Sequence, residues 1–173
     1  MDDLKTINRV FTIWSDELEG RLDPKFYSPI TLAWNEEWKI EKLGKFIERR
    51  LEIFPADELS EENFATLSLT GEVKPKRIMG WRRMKGALFS SRFFKAKEDD
   101  FVFSKIDIRN GASAVIPKGR EIAVTAEFPV YSVSSEILPE YLALLFRYKQ
   151  VLSWLDRKSI GHSGRKRTDG KVI

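Results

Sequence analysis

The chain has no cysteine and only one histidine in 173 residues. A disulfide framework and a thiolate metal site are therefore excluded, and a lone imidazole cannot complete a structural zinc cage. No apolar run reaches the roughly 18 residues a membrane helix needs, and the start MDDLKTINRV is acidic and polar, unlike a secretory signal. These features predict a soluble protein suited to a reducing cytoplasm. Also missing are a glycine-rich phosphate loop, a nucleophile elbow, an HExxH zinc motif, internal repeats and low-complexity tracts. What is present suffices for one packed domain, since 42% of residues are apolar and 12% aromatic.

Charge is divided along the chain. Residues 1–72 hold nine Lys/Arg against sixteen Asp/Glu, a balance of −7, whereas residues 73–173 hold twenty-one against ten, or +11. Between Val73 and Lys97 stand nine cations (Lys74, Lys76, Arg77, Arg82, Arg83, Lys85, Arg92, Lys95, Lys97) and no carboxylate. Trp81, Phe89, Phe93 and Phe94 are interspersed among them. Cations without local counter-charges, mixed with rings that can stack or wedge, point to a polyanion, of which nucleic acid is the commonest. The plainer reading is a solvated face over a partly buried aromatic stripe. Arg165, Lys166 and Arg167 form a second basic cluster.

Periodicity predicts an α+β domain, helices at both ends and twisted β-hairpins between. An N-terminal helix within residues 1–20 has Leu4, Ile7, Phe11, Trp14 and Leu18 on one face and ends at Gly20. RLDPKFYSPITL reads as an extended connection, and KIEKLGKFIERRLEIF as mostly helical. Asp57 to Asn63 reads as an acidic turn. ATLSLTGEVKP predicts a strand running into a turn near Gly71. FVFSKIDIR and SAVIP predict a strand pair joined at Asn110-Gly111, with Lys105, Asp107 and Arg109 on one face and Ile106 and Ile108 on the other. EIAVTAEFPVYSV supplies one or two more strands. A single C-terminal helix over about 139–156 would align Leu142, Leu145, Tyr148, Leu152 and Leu155. The main domain spans 21–167, with a loose tail at 168–173.

Catalytic signals are sparse. Asp57 and Glu72-Val73-Lys74 have the spacing of a nuclease triad that could hold Mg²⁺, although such a pattern arises easily in a chain that is 32% charged. Asp99 and Asp100 could share a metal but fit a turn better, and His162 has no companion nucleophile. A protein-interaction scaffold using the Leu142–Leu155 helix is a further alternative.

The segments KLGKFIERR (42–50), LTGEV (69–73), KGALFSSRFFKAKEDDFVFSKIDIRNGASAVIP (85–117), AVTAEFPVY (123–131), LPEYL (138–142) and GHSGRKR (161–167) occur in this order, with RLDPKFYSP (21–29) ahead of them. Together they resemble the target recognition domain of type I restriction-modification specificity (S) subunits, most specifically at Lys105 to Ala112. The resemblance implies a prokaryotic double-stranded DNA recognition module reading one half of a bipartite target. Its partners would be adenine-methyltransferase (M) and restriction (R) subunits and a second S half-subunit, with no cofactor, no metal and no catalytic residue of its own. Full S subunits resemble two such domains separated by long helices, so this chain is similar to a half-subunit or truncated form. Base or groove contacts are expected from Arg77, Arg82, Arg83 and Arg92, and phosphate contacts from Lys74, Lys76, Lys85, Arg165, Lys166 and Arg167. Lys105 and Arg109 lie in what the family treats as shared scaffold, where each could add a phosphate contact.

Overall fold

The computed structural model describes residues 12–18, 20, 22, 24–27, 37, 39–55, 57–76 and 92–159. Among these, the architecture is α+β and its strand pairings are antiparallel. Eight short strands form: β1 (Ile47–Arg50), β2 (Ala65–Leu67), β3 (Val73–Pro75), β4 (Phe93–Ala96), β5 (Phe101–Phe103), β6 (Ser113–Val115), β7 (Ile122–Thr125) and β8 (Val130–Val133). They make a four-stranded sheet in the order β1-β8-β5-β6 and two pairs, β2-β3 and β4-β7. Single bridges, Phe64 to Ala123 and Ile53 to Phe94, join the pairs to each other and to the chain leaving β1.

The central strand β5 explains the layering. Its sequence, Phe-Val-Phe, has no polar alternation because both of its faces are covered. Val102 points into a core shared with Leu67, Ala96, Ala114, Ile122, Val124 and Val130, which welds the paired strands to the main sheet. Phe101 and Phe103 point the other way, into a cluster with Ile108, Leu142, Phe146 and Leu155. Both rings are fully buried, and burial of such a side chain is worth about 1.5–3 kcal/mol. Three layers result, with helices against one side of the main sheet and the paired strands against the other.

The predicted C-terminal helix is two helices, α2 (Pro139–Leu145) and α3 (Lys149–Lys158). The reason is geometric. At about 100° per residue, Phe146 and Leu155 would sit on opposite sides of one straight helix. Both must enter the same cluster. The chain therefore breaks at Tyr148, whose extended backbone (φ −67°, ψ 128°) lets α3 restart in a new direction.

Other expectations are corrected. The helical reading of 39–54 gives way to a 3-10 turn at Leu43–Lys45 followed by β1. Here strand pairing with β8 (Ile47 with Val133, Arg50 with Val130) overrides local helix propensity. Within the predicted N-terminal helix, Ser15–Glu17 is a 3-10 turn with Trp14 exposed, while residues 1–11 lie outside the described residues. The extended reading of 21–32 is interrupted by α1 (Pro24–Tyr27), one turn that buries Phe26 beneath the Lys158 ammonium, 3.7 Å from the ring centre.

The SKIDIRNG segment is not a strand. After Phe103 the Ser104 hydroxyl accepts the Asp107 N–H (3.1 Å), and a 3-10 turn follows at Ile108–Asn110. A polar side chain bonding its own local backbone competes with a ladder, so the strand ends there. β5 and β6 are thus joined by a nine-residue loop, Ser104 to Ala112, in which Gly111 alone takes a positive φ (97°). The expected two-residue Asn110-Gly111 turn does not form. Ile108 is fully buried and Ile106 half-buried, while Lys105, Asp107 and Arg109 do not share a strand face. Asp99 and Asp100 do mark a turn, with Asp99 at φ 64°.

Candidate nucleic-acid interface

β2 and β3 form a hairpin whose turn is held by side chains. Ser68 and Thr70 share a hydroxyl contact of 2.8 Å, the Glu72 N–H donates to the Ser68 hydroxyl (3.0 Å), and Gly71 supplies the positive φ (76°). Lys74 is exposed on β3, its ammonium 2.9 Å from the Glu72 carboxylate. Lys74 and Thr70 together hold the Glu72 carboxyl below its ordinary range. Just beyond the strand, Lys76 donates its backbone N–H to Phe64 (2.9 Å) and sets its ammonium over the Phe64 ring.

The chain is described again from Arg92, which is exposed and immediately precedes β4. Phe93, the next residue, packs edge-on against Phe64 with ring centres 5.4 Å apart. The two ends of the segment 77–91 are therefore anchored on one buried aromatic pair. Arg77, Arg82, Arg83 and Lys85 fall inside that segment, and Arg165, Lys166, Arg167 and His162 near the C-terminus; all lie outside the described residues.

Counting charges along the sequence overstated the free cations at 73–97. Lys95 pairs with Glu121 (2.8 Å) and Glu52 (3.8 Å), and Lys97 with Glu52 (2.8 Å). Arg50 approaches the same Glu52 at 3.6 Å, so one carboxylate gathers three cations, from β1, from β4 and from the residue that follows β4. Hydrogen bonding by Lys97, with the charges of Lys95 and Arg50, lowers the Glu52 pKa, while Glu121 raises that of Lys95. A carboxyl with a depressed folded-state pKa contributes stability above its unfolded value, and that contribution is lost as pH falls through the folded value. Glu52→Gln is therefore expected to flatten the acid limb of a stability-versus-pH curve and to leave neutral-pH stability less salt-sensitive. Denaturant unfolding across the carboxylate range checks this; an unchanged acid limb would sink it.

Of the residues in the SKIDIRNGA segment, Arg109 is engaged inside the fold. Its Nη1 lies 3.0 Å from the Asp156 carboxylate on α3, which pins the loop to that helix. Lys105 is half-buried in the turn, with its N–H on the Glu127 carbonyl (3.0 Å). A scaffold role accounts for Arg109; Lys105 keeps an ammonium available.

The nuclease-like carboxylates Asp57 and Glu72 are both exposed. Asp57 is exposed in the turn before Leu59, and Glu72 is occupied by Lys74 and Thr70 at the hairpin end. Among the described residues no group of three or more His, Asp or Glu could hold a metal ion. Asp100, offered as one half of a metal-binding pair, accepts a bidentate bond from Arg50 instead.

No protein-family model matches the chain, and the comparison with curated proteins finds no match either. The site is thus defined by its own geometry.

Two residues escaped the sequence reading. Glu52 was hidden because two of its three partners, Lys95 and Lys97, lie more than forty positions away. Arg147 was hidden because it binds carbonyls rather than a carboxylate. Its Nη2 donates to Gly71 (3.2 Å) and to Ser113 (3.1 Å), which clamps the hairpin turn onto β6 at the α2–α3 junction. Along the Leu142–Leu155 stretch offered as an interaction piece, Leu142 and Leu155 are core residues while Tyr148 is exposed. Among the described residues no helix is long and apolar enough to cross a membrane.

Proposed function

We propose that the chain is a double-stranded DNA recognition module of the type I specificity-subunit kind, reading one half of a bipartite target for methyltransferase and restriction subunits that do the chemistry. The observation that carries this reading is the basic stretch between the exposed residues Lys76 and Arg92. Fifteen residues, 77–91, carry four cations and no carboxylate, and both flanking cations are exposed. Exposed cations on both sides of a stretch that carries no carboxylate suit a duplex surface, because uncompensated positive charge draws a polyanion. The order of the sequence segments that resemble the family supports the same reading. Arginines in this stretch suit guanine edges and lysines suit phosphates.

Fluorescence anisotropy with a DNA duplex over a salt series tests the proposal. Log K should fall linearly with log salt at about 0.9 per phosphate neutralised, so six contacts would weaken binding about a thousandfold between roughly 50 and 200 mM. Arg82→Gln with Arg83→Gln should reduce that slope or, where bases are read, relax sequence preference by about 1–3 kcal/mol per lost contact. Failure to bind duplex at low salt, or binding indifferent to salt, would overturn the reading.

A further inference from the structure

The chain from Phe46 to Phe54 borders both β8 and β4, and its even-numbered residues bond inward. The Phe46 carbonyl accepts the Ser134 N–H (2.8 Å), and Glu48 and Arg50 stand opposite Ser132 and Val130 on β8. Farther on, the Glu52 carbonyl accepts the Lys95 N–H (2.9 Å) and the Phe54 N–H donates to the Phe93 carbonyl (2.9 Å). Backbone groups alternate in direction along an antiparallel ladder, so the N–H and C=O of Ile47, Arg49, Leu51 and Ile53 point away from both neighbours. Among the described residues nothing bonds to them. At about 3.3 Å per residue this open edge runs roughly 20 Å.

The usual guards of an edge are missing here. No proline stands between Phe46 and Phe54. Leu51 and Ile53 are exposed at 64% and 48%. Arg49 folds back across the sheet, its Nη1 on the Val130 carbonyl (2.9 Å) and its guanidinium over the Phe94 and Tyr131 rings, so its charge does not stand at the edge.

Alternating donors and acceptors at strand spacing are satisfied by an extended backbone, which selects a peptide segment. The side chains select its chemistry. Leu51 and Ile53 share one face and favour apolar residues opposite them. On the other face Glu48 is exposed and has no ion pair among the described residues, because its neighbour Arg50 is taken by Asp100 and Glu52. A cation opposite Glu48 completes that face. A second copy of the chain fits poorly. Two-fold antiparallel pairing sets even residues opposite even ones, and within 46–54 the one register that offers Glu48 a cation, Arg50, sets Arg49 opposite Arg49.

We propose that the outer edge of residues 47–53 docks an extended segment of a partner protein, added antiparallel, with apolar residues opposite Leu51 and Ile53 and a lysine or arginine opposite Glu48. The site does not depend on the DNA-recognition reading and is measured without DNA.

The test is fluorescence anisotropy of the full chain with a labelled, blocked nine-residue peptide that alternates threonine with valine and carries lysine at its seventh position. Saturable binding is expected, with amides at 47–53 gaining protection from hydrogen exchange. Glutamate in place of that lysine should weaken binding about fivefold, and Glu48→Lys in the chain should reverse the preference. Glu48 is exposed, so the melting temperature of that variant should match the unmodified chain. Methylating the valine amides, which face the edge, should abolish binding, whereas methylating the threonine amides should not. No binding at millimolar peptide, binding that survives methylation of the valine amides, or protection gained elsewhere overturns the proposal. Self-association of the chain along 47–53 overturns it equally, because the occupant would be a second copy.

Discussion

Asp100→Ala should lower the stability of this protein by about 3 kcal/mol, toward the lower end of the range for breaking a buried ion pair. The Asp100 side chain is only 3% exposed and is fully engaged. Arg50 Nε donates to one of its oxygens at 2.7 Å and Nη2 to the other at 2.9 Å, while the Lys97 backbone N–H adds a third bond at 2.8 Å. Bidentate guanidinium pairing of this kind is the strong form of the interaction, and it holds the Arg50 pKa above its usual value. Removing the carboxylate leaves a guanidinium whose nearest remaining carboxylate is Glu52, 3.6 Å away, and orphans the Lys97 N–H. Arg50 is 26% exposed, so water recovers part of its solvation; this places the cost near 3 rather than 5 kcal/mol. Urea unfolding monitored by tryptophan fluorescence measures the effect. A loss under about 1 kcal/mol, the size of one ordinary hydrogen bond, would mean the pair is incidental.

The second large effect is expected at Gly71. A β-carbon there would lie 1.6 Å from Arg147 Nη2 and 2.5 Å from the Ser113 carbonyl oxygen, at a backbone φ of 76°. The arginine can swing away; the β6 carbonyl cannot. Gly71→Ala therefore combines left-handed strain of about 1–2 kcal/mol with the loss of one or both carbonyl bonds to Arg147, for about 2–4 kcal/mol in all. Arg147→Ala should cost less, since it removes the clamp and leaves the backbone relaxed. Because Gly71→Ala already displaces the guanidinium, the double variant should be less destabilised than the two single losses added together. Strict additivity in thermal or denaturant unfolding would refute the clamp.

What could be read in the sequence followed from whether a residue's determining neighbours were local. The run Phe101-Val102-Phe103 announced a strand, though not the burial of both its faces, and Gly71 announced a turn, though not the second strand after it; what was legible depends on a few adjacent residues. Ile122–Thr125 and Val130–Val133 were legible for the same reason. Phe46 to Arg50 was misread because its partner strand lies eighty or more positions away. The single C-terminal helix failed because the sequence pattern does not state that Phe146 and Leu155 serve one cluster. At the candidate interface, Lys74, Lys76 and Arg92 are exposed. Lys95, Lys97 and Arg109 instead meet Glu52, Glu121 and Asp156, carboxylates that no local charge count could assign to them.

The outer edge of β3 has one more consequence. Inward hydrogen bonds at Lys76 and at the Ser68–Glu72 pair fix the alternation of the hairpin, so the even-numbered residues face β2 and the nitrogen of Pro75 faces outward. That position has no N–H to offer, and the exposed ammonium of Lys74 stands beside it. A foreign strand seeking to extend the sheet would meet a missing donor and a charge, two natural guards against fibril growth. A proline within the strand thereby protects the fold from templating its own aggregation.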